Sequence, residues 1–416
     1  MEFKRSCTLR APDIAQGAFI YCQIYAKLGI LNINLMLKFL RILRKIRKSF
    51  LAYSPAVEVL VYKENLLHNL NEYKQKYPKL SFVPVLKSNA YGHGLIQVAR
   101  ILDKEQIAFL VVDSLFEAMA LRNEGIKSQI LVIGYVSAEN ISSSKISNTA
   151  FTITSLEQLK EINNSLKKEK KFHLKIDTGM HRQGVMPEEL SEAIKIIQKN
   201  RWIDLEGVCS HLADADGEQE DFTNLQIEKW QRSIDVIKQN FQKIKFFHLA
   251  ATPGLAYADK IQANLARLGL GLYGINSSPS VKLNLKPVLE MRSIVSSVKT
   301  IKEGDCVGYN ATYEADKTRR IASVPVGYFE GVDRRLSGVG YFKFDNQKCP
   351  IVGRVSMNIT SVDATAMPEI KMGDQITIIS KNQKEENSVE NIAKLAHTIP
   401  YDILVHIPQH LRRVIR

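Results

Sequence analysis

From about residue 55 the chain alternates short β-rich runs with amphipathic helical stretches, and no other feature constrains the fold as tightly. The runs are Phe82–Lys87, Ala108–Asp113, Ile130–Gly134, Ala150–Thr154, His173–Asp177, Leu205–His211, Phe246–Ala250 and Ala266–Tyr273. Helical stretches such as Leu115–Asn123, Leu156–Asn164, Glu188–Lys199 and Asn224–Asn240 fall between them. Eight strand–helix units in about 200 residues match the count and size of a (β/α)8 TIM barrel. A doubly wound open sheet shares the alternation and is the competing architecture, but the count of eight favours the barrel. Beyond residue 285 the helical pattern gives way to strand-like runs: Val288–Ile301, Arg320–Val326, Val339–Phe344, Pro350–Val355, Ile359–Val362 and Gln375–Ile379. A helix near Ser388–His397 and an Arg-rich final strand close the chain. The expectation is an α/β chain in three parts: an extension over 1–52, a barrel over 53–285 and a mainly β domain over 286–416.

The net charge of +14 takes its meaning from where it sits. Residues 1–50 carry ten Lys and Arg against two acids, which leaves an excess of only six for the rest of the chain. So near a balance argues against a nucleic-acid-binding face on the folded body. In the extension, residues 17–40 are apolar but are interrupted by Gln23, Lys27, Asn32, Asn34 and Lys38, which excludes a clean spanning helix. The strongest basic cluster follows the apolar stretch and no small-residue cleavage site closes it, so a signal peptide is not expected. Lys38, Arg41, Lys45 and Lys48 recur at helical spacing beside Met36, Phe39, Leu40, Leu43 and Ile46. That pattern suits weak contact of residues 17–48 with an anionic membrane surface, while a poorly ordered appended arm is the plainer reading. The five cysteines are widely spaced, with no CxxC pair and no Cys/His cluster, so no metal site is expected. Free thiols point to the cytoplasm.

Residues at the C-terminal ends of barrel strands carry chemistry. The first run ends in Lys87-Ser88-Asn89-Ala90-Tyr91-Gly92-His93-Gly94. A lysine there is either a snorkelling rim residue or an amine whose burial depresses its pKa and suits it to Schiff-base chemistry. The fifth run leads through Lys175-Ile176-Asp177-Thr178-Gly179-Met180-His181 to Arg182, and the sixth ends at His211. The seventh supplies Thr252 near His248, and the eighth passes from Arg267 through Gly269, Leu270 and Gly271 to Gly274. This last segment matches G-x-G-x-x-G. It lacks a following helix and an acidic residue about twenty positions on, so it does not mark a dinucleotide site. Its glycines instead let backbone N–H groups approach a phosphate, which barrels hold after strands seven and eight. The set points to a phosphate-bearing cofactor at the mouth with a lysine across from it. Taken singly, His211 and His248 read as core histidines, Tyr309 and Tyr401 as packed aromatics, and Arg182 and Arg267 as halves of ion pairs; their order along one chain reverses that weighting.

Val85 to Gly94 resembles the pyridoxal phosphate (PLP) lysine signature of alanine racemases, K-x-N-A-Y-G-H-G after an aliphatic strand. Further segments match in order: Glu117-Ala118, Lys175 to Met180 with Arg182 and Gly184, His211, and Arg267 with Gly269 and Tyr273-Gly274. Beyond these come Val307-Gly308-Tyr309, Gly327-Tyr328 with Gly331, Gly353-Arg354-Val355 with Met357, and Tyr401. The resemblance implies a PLP-dependent isomerase: a barrel followed by a β domain, acting as a head-to-tail homodimer with shared active sites on a small amino acid. It implies that Lys87 holds PLP and serves one face of the substrate, while Tyr309 from the second copy serves the other. Arg267 would face the ring nitrogen, with His211 beside the cofactor and Tyr91, Thr252, Gly269, Leu270 and Tyr401 at its phosphate. Arg182 and Met357 would bind the substrate carboxylate, and Lys175 matches a position that is often carbamylated. D-alanine made this way would supply peptidoglycan in a bacterial host.

Four departures from the family pattern stand out: Ala251-Thr252 for Asn-Ser, Asn358 for Asp after Met357, Asn310 for Gly, and Pro400 for Asn. None removes an acid or base, but Ala251 and Asn358 leave open a serine or broad-specificity racemase of the same fold. A decarboxylase is disfavoured, because such enzymes place an acidic residue where Arg267 stands. A non-catalytic PLP-binding protein is disfavoured by the complete second domain carrying Tyr309.

Overall fold

The computed structural model describes residues 54–416 except 218, 219, 277, 279 and 280. The extension, with its apolar and basic patterns and Cys7 and Cys22, lies outside the described residues. The first strand, β1 (Val57–Val61), precedes eight parallel strands. These are β2 (Ser81–Pro84), β3 (Leu110–Val112), β4 (Ile130–Val132), β5 (Thr149–Ile153), β6 (Lys170–Lys175), β7 (Ile203–Cys209), β8 (Phe246–His248) and β9 (Leu265–Leu268). β3 to β8 pair in sequence order and β2 pairs with β9. The bridges Val85–Val111 and Ala251–Arg267 join the two sheets on both sides, which closes the barrel. β3, β4 and β5 are buried at every residue, as continuous apolar strands covered on both faces must be.

The covering helices follow from amphipathic spacing and capping. Leu190–Lys199 buries Leu190, Ala193, Ile194 and Ile197 on one stripe. Leu115–Asn123 opens with a reciprocal capping box between Ser114 and Glu117. Glu220–Asn240 seats Trp230 in the core, and the indole N–H donates to the Gln262 carbonyl at 3.0 Å.

The second domain is built on β10 (Leu289–Ile294), β11 (Ser297–Ile301), β12 (Cys306–Val307), β13 (Tyr313–Glu314), β14 (Arg319–Val324), β15 (Tyr341–Phe344), β16 (Gln347–Pro350), β17 (Thr360–Asp363), β18 (Gln375–Ile379) and β19 (Arg412–Ile415). Its larger sheet runs β16-β15-β18-β10-β1-β19. Here the structure differs from the expected boundary. β1 falls within the 53–285 segment, yet it pairs antiparallel with β10 and parallel with β19. Its VEVLV pattern fits an interior strand of either sheet, so local sequence could not choose between them. The next helix, Lys63–Lys76, belongs with the barrel: Asn69 donates to the Leu272 carbonyl, and Tyr73 lies where a Cβ on Gly271 would sit. The run Pro350–Val355 is mostly not strand, because pairing with β15 ends at Pro350, Ile351 keeps only a single bridge to Val362, and Gly353 turns the chain at φ +67°. A further helix, Pro400–Val405, uses Pro400 at its first position, where a missing N–H costs nothing. Among the described residues no helix is long and apolar enough to cross a membrane.

Candidate active site

β2 delivers Lys87, half-buried, into an unusual turn. Ser88, Asn89, Ala90 and Tyr91 all have φ between 50° and 58°, one turn of left-handed helix built from residues with side chains. Each costs about 1–2 kcal/mol relative to right-handed backbone, so the surroundings must impose it. On the barrel side, the Glu117 carboxylate accepts from the Ser88 amide at 2.7 Å and from the Asp113 amide at 2.8 Å. Gly92 ends the turn at φ +78°, where a Cβ would lie 2.1 Å from the Leu404 carbonyl oxygen. Arg413 on β19 donates two hydrogen bonds to the Gly92 carbonyl, at 3.1 and 2.8 Å. Both domains therefore hold the lysine turn.

Behind the turn, Tyr91 is buried, with its ring 5.3 Å from Tyr273 and 5.8 Å from Tyr401. The Thr252 hydroxyl accepts from the Gly269 amide at 3.1 Å. A Cβ on Gly269 would lie 3.0 Å from the Tyr91 hydroxyl and 3.9 Å from that of Thr252. Gly269, the adjacent Leu270 and the hydroxyls of Tyr91 and Thr252 thus form a small polar cradle that any side chain on residue 269 would fill. His93 is turned away from it: Nδ1 meets the Ala90 and Tyr91 carbonyls and the ring lies 4.3 Å from Tyr273. Asp177 accepts from the amides of Gly179 and His181 and so orders its own loop.

Arg267 is 6% exposed and reaches across the barrel. Its two terminal nitrogens donate to the carbonyls of His248, Ser210 and Leu249 and to Nδ1 of both His248 and His211. Its Nε–H has no partner among the described residues and remains for a ligand. Because arginine can only donate, His211 Nδ1 must accept, so the His211 proton sits on Nε2. Burial, with Arg267, Lys175, Arg182 and Lys87 acting in the same direction, pushes His211 down to about 3, so the ring is neutral. Burial also lowers the pKa of Lys175, whose amine donates to Gln183 at 3.3 Å. Among the described residues, none of Lys87, Lys175, Arg182 and Arg267 forms an ion pair with a carboxylate. Four cations around one neutral imidazole make a receptor for an anionic ligand.

The structure thus brings together Lys87, Tyr91, Lys175, Arg182, His211, Thr252, Arg267, Gly269, Leu270 and Tyr401. Two predicted residues stand apart. Tyr309 and Met357 are exposed on loops of the second domain, and no hydrogen bond or ring contact joins them to this cluster. Sequence reasoning assigned no role to Glu117 or Arg413. The capping-box spacing of Ser114 and Glu117 was readable, but the reach of the carboxylate to residue 88 was not.

The departures have local causes. Asn310 stands at φ 60°, a conformation that asparagine tolerates nearly as glycine does. Asn358 donates to the buried Glu330 carboxylate at 2.7 Å, where an aspartate would set two carboxylates together.

Comparison with known proteins agrees over most of the described region. Residues 61–277 match the family model for the alanine racemase N-terminal domain, and residues 288–415 match that for the C-terminal domain. An alanine racemase of Lactobacillus acidophilus is 35% identical over 356 residues, covering 83% of this chain and 93% of that protein. One of Methanococcus maripaludis is 33% identical over 344 residues, covering 81% and 92%. The solved alanine racemase of Clostridium difficile 630 superposes with a TM-score of 0.81 at 29% identity, covering 88% of this chain and 96% of that one. That of Bacillus anthracis with bound L-Ala-P gives a TM-score of 0.80 at 28% identity, with the same coverage.

Proposed function

The chain belongs to the alanine racemase family, and on that premise we propose that it interconverts L-alanine and D-alanine as a PLP-dependent isomerase. The observation that carries the reading is the receptor at the barrel mouth: a half-buried lysine, a glycine cradle and a cation cluster with no carboxylate partner. These residues fit PLP. The cradle that a Cβ on Gly269 would fill suits its phosphate, and the free Nε–H of Arg267 suits its ring nitrogen. When bound, PLP supplies an electron sink that makes the Cα proton of an attached amino acid acidic.

The chain's own residues do the rest. Lys87 would hold the cofactor covalently and move a proton on one face at Nζ. Inverting a stereocentre needs a second acid/base group on the opposite face, and Tyr309 of a second copy is our assignment for it. His211 is neutral, with a proton on Nε2, so it acts as a hydrogen-bond donor that could stabilise a phenolate without carrying charge. Arg267 stays a donor and has no proton to surrender to a ring nitrogen, which limits charge spreading and suppresses side reactions. Arg182, with the backbone at Met357, would take the substrate carboxylate. Lys175 is a half-buried amine whose depressed pKa raises the neutral form that can attack CO2; the N–C bond forms as a C=O π bond opens, and two protons leave the nitrogen, one before the attack and one after it, so that a cation among cations becomes a carbamate anion.

A shared-site homodimer is supported by the exposed side chains Tyr309, Tyr328, Phe329, Met357 and Ile359. They lie on second-domain loops, two of which are stitched by the Tyr328–Ser356 and Phe329–Met357 backbone bonds. A cytoplasmic setting is supported by the unpaired Cys209, Cys306 and Cys349, and a role in peptidoglycan supply follows if the host is a bacterium. The purified protein should be yellow and should racemise L-alanine in an assay coupled to D-amino-acid oxidase. Lys87→Ala should remove both properties, and full activity in that variant would refute the assignment. A parallel screen of L-Ser, L-Lys and L-Arg tests the broader-specificity reading that Ala251 and Asn358 leave open.

A further inference from the structure

The interior of this barrel carries a column of polar groups where branched aliphatic side chains are usual. At the top, Arg267 Nη1 donates to His248 Nδ1 at 2.6 Å. His248 Nε2 lies 2.8 Å from His173 Nδ1. His173 Nε2 lies 3.6 Å from Glu206 Oε1, beyond hydrogen-bond length but within ion-pair range. At the floor, Glu206 is 3% exposed, accepts from Gln129 and pairs with Lys171 at 2.7 Å.

The direction of this chain is forced. Arginine is a donor only, so His248 must accept at Nδ1 and carry its proton on Nε2. That proton points at His173 Nδ1, so His173 must carry its own proton on Nε2, facing the carboxylate. Burial keeps both imidazoles neutral, with Arg267 reinforcing the effect, so the column holds a cation at one end and an anion at the other. The backbone is adapted to it. The pairing of β6 with β7 shifts register between Phe172 and His173, leaving Glu206 as the extra residue of a bulge. The next residue must be glycine, because a Cβ on Gly207 would lie 2.5 Å from the His173 ring. Phe109 and Phe246 pack on that ring at 5.3 and 5.8 Å.

We propose that Glu206, at the barrel floor, is a positioning residue for Arg267 at its mouth, acting through the ordered histidines His173 and His248. This rests on the reading that Arg267 faces the ring nitrogen of PLP. The carboxylate favours the same tautomers that the guanidinium requires, so the column is biased from both ends and His248 Nδ1 stays the acceptor that aims Arg267.

The test uses the holoenzyme carrying Glu206→Gln, which keeps shape and removes charge, with cofactor dissociation and the cofactor's visible absorption band as readouts. The expected result is a displaced band and cofactor binding weakened about tenfold, as the charge that biases the column is lost. Lys171→Met, which removes the other partner of Glu206, should leave both readouts at wild-type values. Where Glu206→Gln does not fold, His173→Gln cuts the column one step nearer Arg267 and carries the same expectation. A Glu206→Gln holoenzyme with wild-type band and affinity would overturn the proposal, as would a Lys171→Met variant that reproduces the change. Arg267→Lys separates the two levels of argument. If it leaves band and affinity untouched, the reading of Arg267 itself is wrong; if it changes them while Glu206→Gln does not, only the positioning role fails.

Discussion

At the barrel mouth Arg267 is 6% exposed with five acceptors around it, whereas Tyr309 in the second domain is 66% exposed on a loop that the described residues leave uncovered. Both regions are conformationally expensive. The lysine turn runs through four left-handed residues, and the tyrosine loop places Gly308, Asn310 and Ala311 at positive φ. The difference lies in what offsets the cost. Glu117, Arg413 and the Leu404 carbonyl brace the lysine turn within one chain, while the tyrosine loop has no comparable brace. A single chain thus braces the barrel-mouth cluster proposed for the cofactor and leaves exposed the loop proposed to act on substrate. The contrast predicts that the two halves fail in different ways.

The largest expected effect is at the exposed half. Tyr309→Phe should slow racemisation by about 10²–10⁴-fold, the usual worth of a positioned acid/base group, while the yellow cofactor stays bound. In heavy water the variant should incorporate deuterium at Cα of one alanine enantiomer only, the one whose proton faces Lys87. Incorporation into both enantiomers would remove Tyr309 from its assigned face. Gly269→Val should do the reverse. Its side chain would crowd the Tyr91 hydroxyl, which stands 3.0 Å from the Cβ position. Overpacking of about 1–3 kcal/mol should weaken cofactor binding roughly 10- to 100-fold, read by absorbance titration, with turnover per bound cofactor much less affected. If the valine variant binds cofactor normally, the cradle is not the phosphate site.

The same contrast explains what was legible in the sequence. Strand and helix periodicity exposed all eight barrel strands, since each is a local pattern. The rim lysine, the glycines after the eighth run and the strand-end arginines stood out because such residues are rare at the ends of apolar runs. Partners distant in sequence stayed hidden. β1 reads like a barrel strand, and only its pairing with β10 and β19 assigns it to the other sheet. Glu117 and Arg413 reach the lysine turn across 29 and 321 residues respectively. His248 reads as a core histidine and His173 only as the start of the fifth run, because a tautomer is set by a neighbour in space, here an arginine that can only donate.

The smallest effect concerns the brace itself and is read in stability. Burial pushes His93 down to about 4, and nearby Arg413 acts in the same direction, while the Ala90 and Tyr91 carbonyls oppose the shift. A histidine in the unfolded chain titrates near 6.5, so below about pH 6.5 the unfolded state takes up a proton that the folded state refuses. Stability from this group is therefore complete above that pH and is lost as pH falls toward 4. Between about pH 7.5 and pH 5.5 the loss should come to about 1.4 kcal/mol, measured by urea unfolding. His93→Gln keeps an N–H for the two carbonyls and has no proton to gain, so its stability should fall by about 1.4 kcal/mol less over that interval. A variant with the wild-type slope would mean that the lysine turn opens in acid before His93 is protonated, and that its bracing by Arg413 and Glu117 is weaker than the geometry implies.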